Sequence, residues 1–243
     1  MEARHQLRNA STTMAINVIN YHSIVGSLRY LVNTSPNLVY SIGFVSRFME
    51  APREEHLVTV KRILCYVAGT RGWGVRYCAG RGNEKLELVG CSDSDMASDV
   101  DDRKSTSEMI YFLSDNAMYW QSTKQKVVTL FSYEAEYIAA LTATTQGVWL
   151  ARLVEELIGR EGDPPMLYVD NKATISLIKN SVLHDRSKHT EIRFHYIRKC
   201  ADRGLIKIDF IRTEKQLGDI FNKSLARVKF EELHSKIGVQ TIR

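Results

Sequence analysis

Four acidic residues stand where a turn or a helix start would hold a carboxylate clear of its backbone: Asp93, Glu136, Asp170 and Asp219. Asp93 closely follows the apolar run 86–91, and Asp170 closes the strand-like run 166–169. Glu136 lies in the first turn of a long helical pattern, and Asp219 lies in a short helix after a second strand-like run. These positions make the four acids candidates for one shared site.

A shared site of four carboxylates restricts the chemistry it can perform. Two unit charges about 4 Å apart repel by roughly 4 kcal/mol at an effective dielectric of about 20, so the four acids cannot all ionise unaided. Protons or divalent cations must neutralise such a cluster. A carboxylate cluster that holds two cations is typical of phosphoryl transfer, where one ion would activate the attacking water and the other would stabilise the leaving oxygen.

The elements around these acids alternate in an order that predicts an α/β protein with a mixed sheet. Strands are predicted over 85–93, 106–113, 117–122, 166–170 and 205–211, and helices over 171–180 and over a long segment from Ser132. The first three strands are so closely spaced that we expect an antiparallel meander.

Local signals predict where two of the helices begin. Ser132 is the predicted N-cap of the long helix, which would bury one apolar stripe. This stripe comprises Ala135, Ile138, Thr142, Thr145, Trp149, Leu153 and Leu157. Thr213 and Gln216 have the spacing of a capping box, which predicts that a last helix begins there.

The charge of the chain is unevenly distributed. Of its 243 residues, 44% are hydrophobic and 25% are charged, which is the composition of a globular protein with one or two cores. Residues 1–80 carry nine Lys or Arg and four acids, whereas residues 81–243 carry 24 of each sign. A basic segment beside an acidic cluster suits a protein that binds a polyanion, although a solvated basic surface explains the charge equally well.

Residues before 80 are predicted to be mainly helical. Helical spacing begins at Tyr21, and Pro36 and Pro52 are suitable helix starts. The turn 79–83 then marks a domain boundary, which divides the chain into 1–80 and 81–243.

Three features of the sequence bear on where the protein resides. The four cysteines form no Cys-x-x-Cys pair, no apolar run reaches the length of a membrane span, and the N-terminus is unlike a secretory signal. These features predict an intracellular protein of the cytoplasm or nucleus.

Several short motifs together resemble one family. They are YHSIVGSLRYL at 21–31, KRILCYVAGT at 61–70, GCSDSD at 90–95, DDRKSTS at 101–107, EAEY at 134–137, VDNKA at 169–173, RSKH at 186–189 and QLGDIF at 216–221. Their order and spacing over residues 21–238 closely resemble the C-terminal part of copia-type retrotransposon Pol polyproteins. The first two motifs are similar to the end of the reverse transcriptase, and the others are similar to the ribonuclease H domain that follows it.

This resemblance implies a fold and an activity. Residues 81–243 would form a ribonuclease H-like domain with a five-stranded mixed sheet flanked by helices, in which the strands carrying Asp93 and Asp170 are neighbours. Residues 1–80 would be a helical remnant of the reverse transcriptase thumb or connection region, and no polymerase activity is expected. The family implies that Asp93, Glu136, Asp170 and Asp219 bind two Mg²⁺ ions, or Mn²⁺ in their place. With these ions they would hydrolyse the RNA strand of RNA–DNA hybrids.

The residues leave some choices open around this site. Glu134 and Glu136 lie on different sides of their helix, and the family motif selects Glu136 as the ligand. A basic run is predicted to contact nucleic-acid phosphates, or else to form a solvated helix face. It comprises Arg186, Lys188, His189, Arg193, Arg198 and Lys199. No histidine or cysteine pair has zinc-finger spacing, which argues against a zinc site.

The chain departs from the family at several positions. Met96, Ser98, Glu108, Phe131 and Asn222 stand where Trp, Gly, Gly, Ser and Thr, respectively, are usual. None of these changes removes a predicted cation ligand, but Glu108 introduces a charge or strain into a predicted strand. The departures support a second hypothesis, in which the protein is a catalytically inactive retroelement remnant that at most binds nucleic acid.

Overall fold

The computed structural model describes residues 7–9, 12–79, 86–179, 188–222 and 225–242, and only the backbone of 188–194. Its α-helices are α1 Val18–Leu31, α2 Val39–Val45, α3 Glu54–Gly69, α4 Ser132–Ile158, α5 Lys172–Lys179, α6 Lys188–Asp202 and α7 Arg227–Lys236. Its strands are β1 Trp73–Val75, β2 Leu88–Ser94, β3 Thr106–Leu113, β4 Asn116–Lys124, β5 Met166–Val169, β6 Lys207–Phe210 and β7 Val239–Thr241. Among the helices of these described ranges, none is both long and apolar enough to cross a bilayer.

Five strands form the central sheet in the order β4-β3-β2-β5-β6. β4, β3 and β2 are antiparallel neighbours, as the predicted meander requires, while β5 and β6 run parallel to β2. Ser92 on β2 is in register with Val169 on β5, so Asp93 and Asp170 follow this pair at the same edge of the sheet. The five predicted strands and the predicted neighbourhood of these two acids are therefore confirmed.

The packing of α4 against the sheet depends on one buried tyrosine. The Tyr111 hydroxyl donates to the backbone carbonyl of Ala143 at 2.7 Å. A Cβ atom at Gly90 would lie 2.4 Å from the Tyr111 ring, and one at Gly147 would lie 2.3 Å from its hydroxyl. Glycine at both positions therefore lets β2 and α4 close around Tyr111. Gly90 lies three residues before Asp93 on β2, so this close packing also places that acid.

The buried face of α4 differs from the predicted stripe. Small side chains face the sheet, among them Ala139, Ala140, Ala143 and Gly147. Trp149 is 54% exposed, and the other solvent-facing members of the predicted stripe are Thr142, Thr145 and Leu157. The prediction was wrong because it weighed side-chain hydrophobicity, whereas close approach of the helix to Tyr111 selects small side chains.

The start of α4 also differs from the prediction. The N-cap position is Phe131, whose side chain has no hydrogen-bond acceptor, and Ser132 is already helical. The carboxylate of Glu134 instead accepts hydrogen bonds from the backbone N–H groups of Leu130, at 2.9 Å, and Phe131, at 3.3 Å. Glu134 thus orders the turn before the helix, which leaves Glu136 as the acid that faces the sheet.

The opposite face of the sheet is covered by C-terminal elements and by the helices that precede the sheet. Cys91, Ile110 and Phe112 pack with Val39 of α2 and with Phe221. The Trp120 Nε1 group donates to the backbone carbonyl of Val32 at 2.7 Å, and β1 pairs antiparallel with β7 in a ribbon that the sequence did not predict. The helices of the first 79 residues therefore contact the sheet directly. The division into domains 1–80 and 81–243 remains a prediction, because residues 80–85 lie outside the described ranges.

Candidate metal centre

Three carboxylates converge where β2, β5 and the start of α4 meet. Asp93 lies on β2, Asp170 directly follows β5, and Glu136 projects from α4. One oxygen of each carboxylate lies within 4.8 Å of the corresponding oxygens of the other two. Asp93 and Glu136 are buried, and Asp170 is half-buried. The fold thus brings together three of the four acids that the sequence singled out.

Crowding and burial change the protonation of Glu136. Burial is the largest cause that raises the pKa of Glu136 to about 9, and the charges of Asp93 and Asp170 raise it further, against a hydrogen bond from the Ser94 backbone. Its buried Oε2 atom has no hydrogen-bond partner among the described residues. Without a cation, Glu136 therefore holds a proton at neutral pH, as expected for a carboxyl group among like charges.

The donor set fits a hard divalent cation. Carboxylate oxygens are the ligands that Mg²⁺, Mn²⁺ and Ca²⁺ prefer in proteins. The unpartnered Glu136 oxygen, buried among acids, gains an interaction when positive charge replaces the proton. Neither the oxygen ligands nor the unpartnered Glu136 oxygen selects one of these metals. Both favour neutralisation of the acid cluster by a cation over neutralisation by protons.

Asp219 lies beside this group rather than within it. It is buried in the short 3-10 turn Gly218–Phe221, which confirms the predicted short helix, and it is not a member of the three-carboxylate cluster. The turn packs tightly against β2, since a Cβ atom at Gly218 would lie 2.7 Å from the Asp93 Cβ atom. Asp219 therefore directly follows Gly218, the residue that packs against Asp93. Its role as a fourth ligand remains a prediction.

Two polar residues that the sequence did not single out for this site hold β2 in place. The Gln216 side chain is fully buried and donates from Nε2 to the Ser92 carbonyl at 2.8 Å, while Oε1 accepts from the Gly218 N–H at 3.2 Å. Asn222 Nδ2 donates to Asp93 Oδ2 at 3.0 Å. These partners are far away in sequence, so no local motif could have identified them.

The predicted capping box at Thr213 and Gln216 was wrong. Thr213–Lys215 is a short 3-10 turn, and α7 begins only at Arg227. The Gln216 amide binds the backbone of β2 instead of a helix start. The Thr213 hydroxyl donates to Asp170 Oδ2 at 3.3 Å, so it contacts the acid cluster.

Glu108 adds a further acid behind the cluster. It is in register with Asp93 on the adjacent strand and is 0% exposed. Neither of its carboxyl oxygens has a hydrogen-bond partner among the described residues. Burial, with smaller contributions from the charges of Asp95, Asp93 and Glu136, raises the pKa of Glu108 well above its usual range. The position predicted to be charged or strained is therefore a buried acid whose surroundings favour its protonated form.

The structure describes only part of the predicted nucleic-acid surface. Arg186 lies outside the described residues, and Lys188, His189 and Arg193 lie in the part of α6 described by its backbone. The Arg198 guanidinium donates to the carbonyls of Ile178 and Leu177, both at 3.1 Å, and thereby ties α6 to the end of α5. Lys199 is exposed. Contact of this run with phosphates remains a prediction.

The close approach at Gly218 gives a prediction. Gly218→Ala is expected to destabilise the protein by about 1–3 kcal/mol, because the added methyl group overlaps the Asp93 side chain. Displacement of that acid is also expected to weaken cation binding at the cluster about tenfold or more. Thermal unfolding and a calorimetric titration with Mg²⁺ would measure the two effects.

Gly26 provides the matched control for this substitution. It lies inside α1, and an added Cβ atom there would meet nothing within 4 Å. Gly26→Ala should stabilise the protein by about 0.5–1 kcal/mol, because alanine is the better helix former. Equal effects of the two substitutions would show that the contact between Gly218 and Asp93 is unimportant.

Solved structures define the class of fold. The chain matches the foamy viral protease–reverse transcriptase in complex with RNA/DNA hybrid with a TM-score of 0.54 and 14% identity, covering 90% of this chain and 27% of that one. It also matches LC11 ribonuclease H1 isolated from compost with a TM-score of 0.42 and 14% identity, covering 56% of this chain and 92% of that one. At such low identity the first match shows the fold alone. The protein has a ribonuclease H-like fold with an acidic triad at one edge of its sheet.

Curated proteins identify the family, although no family model matches the chain. The chain is 39% identical over 232 residues to the retrovirus-related Pol polyprotein from transposon RE1 of Arabidopsis thaliana, covering 96% of this chain and 16% of that protein. It is 39% identical over 224 residues to the corresponding polyprotein from transposon TNT 1-94 of Nicotiana tabacum, covering 92% and 16%. It is also 40% identical over 133 residues to secreted RxLR effector protein 161 of Plasmopara viticola, covering 54% and 92%.

The chain belongs to the copia-type retrotransposon Pol polyproteins. It spans 16% of the length of the first two polyproteins that it matches, so most of each relative has no counterpart in this chain. The family and the fold class predicted from the sequence motifs are both confirmed.

Proposed function

We propose that this protein is a divalent-metal-dependent endoribonuclease that hydrolyses the RNA strand of RNA–DNA hybrids. The observation that carries the proposal is the convergence of Asp93, Glu136 and Asp170 within 4.8 Å at the sheet edge of a ribonuclease H-like fold. Membership in the Pol polyproteins supports it, because copying RNA into DNA produces such hybrids. The matched foamy viral reverse transcriptase is itself bound to an RNA/DNA hybrid, which supports the same substrate class.

The three converging acids, with Asp219 beside them, are the residues that would hold two Mg²⁺ ions, or Mn²⁺ in their place. Cations at such a cluster supply an activated water and stabilise the charge that develops at the scissile phosphate. The chain supplies the placement of the ligands: Asp93 on β2, Asp170 after β5 and Glu136 on α4 are fixed by elements packed in one core. Glu136 must lose its proton for a cation to bind, so cation binding releases protons near neutral pH.

The chain also fixes the direction of individual carboxylates. The Ser94 backbone N–H donates to Asp93 Oδ1 at 2.9 Å, and the Thr213 hydroxyl donates to Asp170 Oδ2. These neutral donors stabilise the carboxylate charges without replacing the cation, as a lysine or arginine at the same place would.

We assign recognition of the hybrid to contacts with its phosphates, made by Lys199 and the rest of the basic run. We assign discrimination of the hybrid to duplex shape and the RNA 2′-hydroxyl rather than to base sequence. A reducing compartment, cytoplasm or nucleus, suits this role.

Cleavage of a hybrid with a labelled RNA strand tests the proposal. The purified chain should cut this strand in the presence of Mg²⁺ and should be inactive in excess chelator. An RNA duplex and a DNA duplex of the same sequence are the matched substrates, and neither should be cut at a comparable rate. No cleavage of the hybrid with either Mg²⁺ or Mn²⁺, by a chain shown to be folded, would refute the proposal.

One observation favours the alternative of an inactive remnant that at most binds nucleic acid. Glu108 is a buried, unpartnered acid directly across from Asp93, and it makes the site harder to assemble. Calorimetric titration with Mg²⁺ separates the two functions. Binding at the acid cluster supports the nuclease, whereas hybrid binding without any cation binding supports the remnant.

The protonation of Glu136 predicts how stability depends on pH. The ordinary pKa of a glutamate is 4.5, and in the folded, cation-free protein the pKa of Glu136 is raised to about 9. Between these values the unfolded chain has released a proton that the folded chain retains, so this residue makes the protein less stable as pH rises from about 5 to 9. Glu136→Gln cannot ionise and is expected to be more stable than the wild type at pH 8.5, by about 1–2 kcal/mol. This advantage should shrink towards pH 5.

Urea unfolding in chelator at pH 5.5, 7 and 8.5 measures this difference. Added Mg²⁺ should stabilise the wild type more than Glu136→Gln, because the variant lacks one carboxylate ligand. Stability curves that run parallel across the three pH values would contradict the inferred protonation of Glu136.

A further inference from the structure

Asp93 is held by a side-chain amide from the segment that follows β6. Asn222 directly follows the 3-10 turn Gly218–Phe221 and is 6% exposed. Its Nδ2 group donates to Asp93 Oδ2 at 3.0 Å. An ionised carboxylate only accepts hydrogen bonds, so the amide nitrogen is the group that must face it. With the Ser94 N–H on Oδ1, each oxygen of Asp93 has a donor from the protein.

We infer that Asn222 is a positioning residue for the candidate cation site, because its amide fixes the orientation of the Asp93 carboxylate that would bind the ion. This inference rests on the proposed function, since it assigns Asn222 to the same site. In this role Asn222 acts through the Asp93 carboxylate and does not need to contact the ion.

The surroundings of Asp93 explain why such a donor is needed. Glu108 is directly across the strand pair, and Glu136 offers a carboxylate oxygen within 4.8 Å. Without a fixed donor in these crowded surroundings, the Asp93 carboxylate would be free to turn away from an incoming cation. A neutral amide holds Asp93 without adding a competing positive charge. Hydrogen-bond partners of metal ligands typically change metal affinity or activity by about 10–100-fold when removed.

The role of Asn222 differs from that of the nearby Gln216. Gln216 binds the Ser92 carbonyl and the Gly218 N–H, so it joins two stretches of backbone. Asn222 instead binds a carboxylate oxygen of the ligand residue. Loss of the Gln216 contacts should therefore disturb folding in general, whereas loss of the Asn222 donor should act on cation binding in particular.

The test compares substitutions at Asn222 that differ in whether they keep a donor. Asn222→Leu has a similar shape but no donor, whereas Asn222→Thr keeps a hydroxyl donor and is the residue usual in the family. Asn37→Leu is the matched control, because the part-buried Asn37 amide donates to the Tyr66 hydroxyl rather than to a carboxylate. Calorimetric titration of each protein with Mn²⁺, without nucleic acid, gives the dissociation constant.

We expect Asn222→Leu to raise the Mn²⁺ dissociation constant about 10–100-fold. Asn222→Thr should bind more tightly than the leucine variant, and Asn37→Leu should match the wild type. In cleavage assays the Mg²⁺ concentration for half-maximal rate should rise for Asn222→Leu, while KM for the hybrid at saturating Mg²⁺ stays unchanged. If circular dichroism shows that the leucine variant does not fold, Asn222→Ala removes the donor without requiring space.

Three results would overturn the inference. The leucine variant could bind Mn²⁺ as tightly as the wild type, the threonine variant could bind no more tightly than the leucine variant, or the wild type could bind no Mn²⁺ at all. A wild type that binds Mn²⁺ but does not cut hybrids refutes the proposed function alone, and the dissociation constants still decide the role of Asn222. A wild type that cuts hybrids, with a leucine variant that binds Mn²⁺ equally well, refutes the positioning role alone.

Discussion

Asp93→Asn is expected to lower cleavage of the hybrid RNA strand about a hundredfold or more without destabilising the protein. The substitution keeps the size of the side chain but removes the negative charge that a cation requires. It replaces one of the two acceptor oxygens with an NH2 group, which the Asn222 amide can meet by turning its oxygen towards it. Loss of one preorganised electrostatic group in an active site typically costs about 10²–10³ in rate. Stability should be unchanged or slightly higher, because one of the like charges around Glu136 is gone. Single-turnover cleavage and thermal unfolding measure the two quantities.

Asp115→Asn is the matched control for this substitution. Asp115 is exposed in the turn between β3 and β4, at the opposite end of these strands from Asp93. The same chemical change there should leave cleavage within about twofold of the wild type, as expected for an exposed residue that touches no substrate. If a folded Asp93→Asn cuts as fast as the control, a ligand role for Asp93 is refuted.

Glu108→Met is expected to stabilise the protein by about 3 kcal/mol. Glu108 is fully buried, and neither carboxyl oxygen has a hydrogen-bond partner among the described residues. A buried polar group without a partner costs about 1–3 kcal/mol, and a methionine of similar length removes two such atoms. For a protein of this size, this gain corresponds to a rise in Tm of roughly 6–12 °C.

Two further variants separate the causes of this stabilisation. Glu108→Gln cannot ionise but keeps a buried amide, so it should stabilise less than methionine, and its advantage over the wild type should grow as pH rises and the carboxyl group is forced towards ionisation. Glu156→Met, on the exposed part of α4, controls for added hydrophobicity and should be near neutral. Destabilisation by Glu108→Met would mean that Glu108 has a favourable role that its surroundings do not show.

The sequence predicted the sheet better than the surfaces of its helices. Apolar runs and turn residues were enough to find all five strands. The two central strands β2 and β3 are buried on both faces along most of their length, which favours apolar residues at consecutive positions. The buried face of α4 was missed because it is built from alanines and Gly147, whose small size matters only once Tyr111 of β3 is placed against them. Such a contact depends on the three-dimensional arrangement and has no local signature.

The same limit applies to the candidate site. Asp93, Glu136 and Asp170 could be predicted from their places beside strands and a helix start, together with the order of the motifs. Gln216 and Asn222 could not, because each acts on β2 from more than a hundred residues further along the chain. Glu108 was recognised as unusual, but its burial and its lack of a partner depend on the elements packed over both faces of the sheet.

A crystal of the protein soaked in Mn²⁺ would locate bound metal through its anomalous scattering. We expect anomalous peaks within bonding distance of the carboxylates of Asp93, Glu136 and Asp170, and none at these positions in crystals of Asp93→Asn. Protein that cuts hybrids in Mn²⁺ but shows no metal at these three carboxylates would contradict this expectation.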